Sequence, residues 1–317
     1  MKSNPFYFLS LAAFGLAGCT DESPVVPDLS TPVISDLALT PNSKIEPYNG
    51  QIFKSDWNSI PFYLKVSDPE GVQEVEINVK PAFENQLQSQ YADQFELLNT
   101  NEIFNKDRVD PKMNMTFGGE DVNFDPYTIE WSGTYSVAEL PILAGPYEVV
   151  VDATDVNGNK TSLEDSTSYQ TTVFIDRWYA PLIYRPYGLP SSVSGISGSE
   201  LAMDGGILKT TDPLSSPLKF IWVKLVDKDV IEDYKGNANQ TVFEERIWGE
   251  SVVFEKSGDV LPPMIEYPDN VIELTFNGLF ESDPIVLPDG KGDLSLVVWA
   301  EDEAGNISRK VFPIEVN

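Results

Sequence analysis

A chain of 317 residues with 50 acidic and 21 basic side chains carries a formal net charge of −29, which argues against binding a nucleic-acid backbone. It contains no histidine and a single cysteine. Those absences exclude Ser-His-Asp and Cys-His catalysis, imidazole bases, the usual zinc sites and an internal disulfide. Carboxylate-only chemistry survives in principle, but no acidic pair stands out, and neither a glycine-rich phosphate loop nor a nucleophile elbow is present. The expectation is a non-enzyme with two cores, since domains cluster near ~100–150 residues.

The chain opens with Lys2, an apolar run from Phe6 to Gly15, and then Leu16-Ala17-Gly18-Cys19. A charged start, a short apolar segment and small residues before a cleavage point are the layout of a secretory signal. The ending resembles a bacterial lipobox, which implies that the Cys19 sulfur receives a diacylglycerol and that residues 1–18 are removed. Residues 19–31 carry prolines and acids without periodicity and read as an extended tether. No later apolar run approaches the ~20 residues needed to span a bilayer, so the lipid is the expected membrane contact. Asp21-Glu22 resembles the acidic export cue of Bacteroidota lipoproteins. It implies an outer-membrane protein facing the cell surface, with a periplasm-facing protein as the alternative.

Strands come next, marked by period two. Phe62, Leu64 and Val66 alternate with Tyr63 and Lys65, and Val75, Ile77 and Val79 alternate with Glu74, Glu76 and Asn78. Tyr147, Val149, Val151 and Ala153 oppose Glu148 and Asp152, and Leu294, Leu296, Val298 and Ala300 repeat that pattern. Strands of this kind bury one face and wet the other. The chain also nearly repeats itself. Ala153-Thr154-Asp155-Val156-Asn157-Gly158-Asn159 recurs as Ala300-Glu301-Asp302-Glu303-Ala304-Gly305-Asn306, and Phe62 to Asp68 echoes Phe220 to Asp227 at a slightly larger displacement. In the repeated turn the aspartate can accept from amides two or three residues on, while glycine supplies a positive φ. The reading is a duplication, with one domain over 32–176 and another over 177–317.

Each half exceeds the ~100 residues of a plain sandwich, so insertions are expected at about 81–130 and 232–290. In the first, Phe83, Leu87, Tyr91, Phe95 and Leu98 follow one face of a helix of about four turns. The fold class is therefore all-β, two tandem immunoglobulin-like β-sandwiches with a short helix inserted in the first. At the A-x-D-x-x-G-N hairpins the chain resembles immunoglobulin-like, fibronectin-type or cadherin-like modules of bacterial surface proteins, and uncharacterised lipoprotein domains of the Bacteroidota. That resemblance covers about 32–317 and implies fold more than function.

Two ligand sets follow. An immunoglobulin-like topology would gather Asp68, Glu70, Asp155, Asn157 and Asn159 at one pole of the first domain. It would gather Asp227, Asp229, Asp302 and Glu303 at the matching pole of the second, where the hard oxygens suit calcium. Trp178, Tyr179, Tyr184 and Tyr187 cluster at the start of the second domain and could form an aromatic platform for a glycan, as Trp131 and Tyr135 could in the first. No cofactor is required, and calcium is the one candidate. The expected role is non-catalytic recognition, adhesion or spacing at the envelope, toward a protein or glycan partner and not nucleic acid. The alternative is a glycan-binding accessory lipoprotein of an outer-membrane nutrient-uptake system.

Overall fold

The computed structural model describes residues 30–40, 43–44, 52–55, 59–83, 86–108, 116–130, 140–228, 241–251, 264–265 and 270–317. Cys19, Trp131, Tyr135 and Asp229 lie outside the described residues, as does nearly all of the tether.

The first half is a sandwich of two sheets. Strands β1 (Val33–Thr40), β2 (Ser43–Lys44), β3 (Ile52–Ser55), β4 (Ser59–Ser67), β5 (Val72–Pro81), β6 (Thr100–Asn105), β7 (Asp121–Glu130), β8 (Gly145–Asp155) and β9 (Tyr169–Ile175) build it. One sheet runs β2-β1-β4-β7 and the other β3-β9-β8-β5-β6. The alternating apolar residues meet between them: Phe62, Leu64 and Val66 of β4 pack with Val75, Ile77 and Val79 of β5 and Tyr147, Val149 and Val151 of β8. At roughly 1.5–3 kcal/mol per fully buried large side chain, this layer is the main stabilising term of the half.

The second half is also a β-sandwich, built unequally. It contains β10 (Leu182–Tyr184), β11 (Val193–Gly195), β12 (Gly206–Leu208), β13 (Leu218–Asp227), β14 (Val242–Gly249), β15 (Met264–Ile265), β16 (Glu273–Thr275), β17 (Leu294–Asp302) and β18 (Ile307–Val316). The large sheet runs β11-β18-β17-β13-β14-β15, and the small one β10-β12-β16. Helix α1 (Phe276–Ser282) completes the thin layer. Thr275 caps it by accepting from the Gly278 amide at 3.1 Å, and Phe276, Leu279 and Phe280 point into the core.

Four expectations need correction. The four-turn helix over 83–98 is replaced by a single 3₁₀ turn at Ser89–Tyr91. Its apolar stripe is real, with Phe83, Phe95 and Leu98 buried, but irregular backbone delivers it. The expected insertions are not additions to the sandwich, because β6 and β7 fall within the first and β14, β15, β16 and α1 within the second. The echo of Phe62–Asp68 in Phe220–Asp227 is out of register. The central strand of the second half, β13, pairs with β17 as β5 pairs with β8, so β13 is the counterpart of β5 and not of β4. The turns agree: the Gly71 carbonyl accepts from the Val156 amide at 2.9 Å, and the Pro217 carbonyl accepts from the Glu303 amide at 2.9 Å. Finally, β17 is buried on both faces rather than one.

That second buried face lies against the first domain. Phe220, Trp222, Trp299 and Ile307 form one apolar cluster with Phe83 and Phe174. Trp299 meets Phe83 edge-on at 6.2 Å and Phe174 edge-on at 5.9 Å between ring centroids. A second cluster joins Phe95, Leu143 and Ala144 to Tyr179, Ala180 and Ala304. The two sandwiches are therefore docked through core-like contacts, not strung on a bare linker.

Candidate functional site at the domain junction

The second Asp-x-x-Gly-Asn turn is the key of this junction. Asp302 and Asn306 are completely buried. The Asp302 Oδ1 accepts from the amides of Ala304 at 3.1 Å, Gly305 at 3.0 Å and Asn306 at 2.8 Å. Its Oδ2 accepts from Asn306 Nδ2 at 3.0 Å, which aims the Asn306 Oδ1 outward to receive the Ala144 amide of the first domain at 3.0 Å. The Ala144 carbonyl in turn accepts from the Ile307 amide at 3.0 Å. Buried Gln86 donates to the carbonyls of Ala144 at 3.2 Å and Gly305 at 3.3 Å, and the Gln88 amide donates to the Ala304 carbonyl at 3.3 Å. At the rim, the Tyr91 hydroxyl donates to Glu303 at 3.2 Å. Burial drives Asp302 above its usual range, to about 6, against the lowering effect of hydrogen bonds from Asn306 and Ser216.

The first copy of the turn has the same internal wiring and a different setting. Asp155 accepts from the amides of Asn157 and Asn159 at 2.8 Å each, and from Asn159 Nδ2 at 2.7 Å. Val156, 46 % exposed, stands at an open pole where, among the described residues, nothing lies within 4 Å of a Cβ built on Gly158. One sequence motif thus closes a hairpin at the pole of one domain and serves as a docking key in the other.

The calcium set divides. In the first domain, the turn Asp68–Gly71 does adjoin the turn after Asp155, since Val72 is opposite Asp155 in the ladder. Asp68 uses Oδ1 on the amides of Glu70 at 2.9 Å and Gly71 at 3.2 Å, while its buried Oδ2 has no hydrogen-bond partner among the described residues. In the second domain, Asp227 and Asp302 do not meet, which corrects the expectation. Asp227 is opposite Leu294 and Asp302 opposite Leu218, at the two ends of one ladder and roughly 27 Å apart at ~3.3 Å per residue. The cause is the register error above: the strand that ends at Asp227 matches β5, which runs away from the motif. Among the described residues, no group of three or more acidic side chains lies close enough to hold a metal ion.

The aromatic set also divides. Tyr179 is wholly buried in the junction, donating its hydroxyl to the Ile142 carbonyl, and burial pushes it up to about 12. Tyr184 donates to Glu273 at 2.9 Å, and Tyr187 stands fully exposed on the loop beyond. Trp178, 59 % exposed, lines a cleft. The cleft has a volume of about 390 Å³, and the interdomain segment Asp176–Ile183 makes one wall while Ser308, Arg309 and Lys310 of β18 make the other. The Arg177 guanidinium lies 4.2 Å from the centre of the Trp178 ring. Lys310 Nζ donates to the Ile183 carbonyl at 3.2 Å, tying the two walls together. The aromatic pattern marks Trp178 but not Arg309 and Lys310, which are separated from it by more than half of the domain. Their signal was Ser308-Arg309-Lys310 directly after the buried turn, a basic pair in an acidic chain.

The fold defines a class, two docked immunoglobulin-like β-sandwiches. No protein-family model matches the chain, and no curated protein matches it in sequence. Solved structures similar to it include fibronectin(III)-like modules of Clostridium thermocellum CbhA, with 11% identity, 84% of this chain and 90% of that one covered, and a TM-score of 0.22. Another is the Bacteroides ovatus mixed-linkage glucan utilization locus protein SGBP-B in complex with a mixed-linkage heptasaccharide, with 12% identity, 91% and 48% coverage, and a TM-score of 0.24. A three-immunoglobulin-domain titin fragment gives 12% identity, 90% and 66% coverage, and a TM-score of 0.21. Likeness this weak carries no functional argument.

Proposed function

We propose that this chain is a non-catalytic recognition module of the cell envelope, held at the outer membrane by lipid on Cys19 and facing the cell surface. What supports the recognition reading is the cleft between the segment 176–183 and β18, whose two walls are tied to each other by the hydrogen bond from Lys310 Nζ to the Ile183 carbonyl. A preformed concave site loses less conformational entropy on binding than one that must first be ordered. The anchoring half of the reading rests on the Leu16-Ala17-Gly18-Cys19 motif. A Cys19→Ala variant should lose incorporation of a labelled fatty acid and move from the membrane to the soluble fraction, and unchanged labelling would sink the anchor. The recognition half predicts retention on affinity gels of envelope or dietary polysaccharides without any change in their chain length. Cleavage of a retained polysaccharide would make the protein an enzyme and overturn it.

The second reading, glycan capture for uptake, is favoured by Trp178, because the C–H face of a sugar stacks on an exposed indole. Neither reading needs a cofactor. Calcium is kept as a candidate at the first-domain pole, where a calcium-dependent rise in melting temperature would reveal it.

A further inference from the structure

Within the recognition reading, on which this inference rests, the junction cleft has a chemistry of its own. Three cations, Arg177, Arg309 and Lys310, line it against a single carboxylate, Asp176. Elsewhere the balance is reversed, with 50 acidic against 21 basic side chains in the whole chain. A locally positive concavity on so acidic a molecule focuses field on one small ligand, whereas an extended polyanion would be repelled by the surrounding surface. The remaining lining suits a ring with an apolar face. Trp178 presents an exposed indole, and exposed Leu182 continues that wall. Ser308 and Thr210 add hydroxyl-bearing side chains to the lining. The volume of about 390 Å³ lies within the roughly 300–1,000 Å³ range of small-molecule sites, enough for a short saccharide.

We infer that the junction cleft binds an anionic saccharide, a sugar whose ring stacks on Trp178 while its carboxylate is held by Arg177, Arg309 and Lys310. The guanidinium groups supply the fork that matches a carboxylate, and the lysine adds a point charge. Lys310 is held across the cleft through the Ile183 carbonyl, so its ammonium is already positioned before a ligand arrives.

The test is calorimetric titration of the purified protein with digalacturonate, the shortest oligogalacturonate, with maltose as the neutral chain of equal length, and with inorganic phosphate. Oligogalacturonate should bind about tenfold or more tightly than the neutral chain, and its affinity should fall as salt is raised. Trp178→Ala and Arg309→Gln should each weaken it about fivefold or more without lowering the melting temperature. Tyr187→Ala, outside the cleft, should leave it unchanged. Equal affinity for the neutral chain, displacement by phosphate at equal concentration, insensitivity to both cleft variants, or no binding would each overturn the inference. A neutral glycan lost on Trp178→Ala would do so while leaving the recognition reading intact. Shortening of the oligogalacturonate would instead overturn the recognition reading itself.

Discussion

The duplicated turn supplies its own control experiment. Gly305 has a φ of +99° and Gly158 a φ of +88°, so an alanine at either position carries the same left-handed penalty of about 1–2 kcal/mol. Their surroundings differ completely. Among the described residues, a Cβ on Gly158 would meet nothing within 4 Å, whereas one on Gly305 would sit 2.1 Å from the Gln86 carbonyl oxygen and 3.1 Å from its carbon. That obstacle is backbone, so relief requires the domains to part by more than an ångström. Parting stretches the Ala144–Asn306 and Ile307–Ala144 hydrogen bonds, each 3.0 Å, and the Gln88–Ala304 bond of 3.3 Å. Hydrogen bonds of this type contribute about 1 kcal/mol each, and overpacking costs about 1–3 kcal/mol. Gly158→Ala should therefore lose about 1–2 kcal/mol, and Gly305→Ala about 3–5 kcal/mol. Urea unfolding measures both, and small-angle scattering should show a larger radius of gyration for Gly305→Ala alone. Equal losses at the two positions, or an unchanged radius for Gly305→Ala, would refute the docking role assigned to the second turn.

Two further outcomes follow from the same junction. Asn306→Ala removes the acceptor for the buried Ala144 amide and should cost about 2–3 kcal/mol, against about 1 kcal/mol for Asn159→Ala at the open pole; matching values in urea unfolding would contradict it. Because burial raises Asp302 to about 6 from 3.8, the folded state holds that proton more tightly than the unfolded chain. Its stabilising contribution is thus complete below about pH 4 and lost as pH rises through 6, by on the order of 3 kcal/mol. Relative to an Asp302→Asn variant, the wild type should lose stability over that interval, and a difference that is flat or grows with pH would show the opposite linkage.

The sandwich layers were legible because period two is a direct imprint of one buried face, as in Phe62, Leu64 and Val66 of β4. The junction was not, because its strands violate that rule. Val297 and Trp299 stand where β17 should be wet, and Trp222 does the same on β13. Apolar side chains on both faces of a strand were the available sign that a second body covers it. The stripe from Phe83 to Leu98 misled through its spacing. Its residues Phe83, Phe95 and Leu98 are buried, yet the Gln86 side chain and the Gln88 backbone amide between them donate to carbonyls of the other domain instead of belonging to a helix. The acidic pole of the second domain failed for a subtler reason: the short echo Phe220 to Asp227 belongs to a different strand from Phe62 to Asp68, and that shift moves a carboxylate from one end of the sheet to the other.

The docking turn also sets an order of events for a chain that emerges amino terminus first. The first sandwich has all its strands once Ile175 is out, and its acceptor face of Phe83, Phe174 and Ala144 then exists with nothing on it. The partner surface is completed only when residues 302–307 arrive. Until then an apolar face that the folded protein hides lies open to water. Closure of the β17–β18 hairpin is therefore the step that covers it.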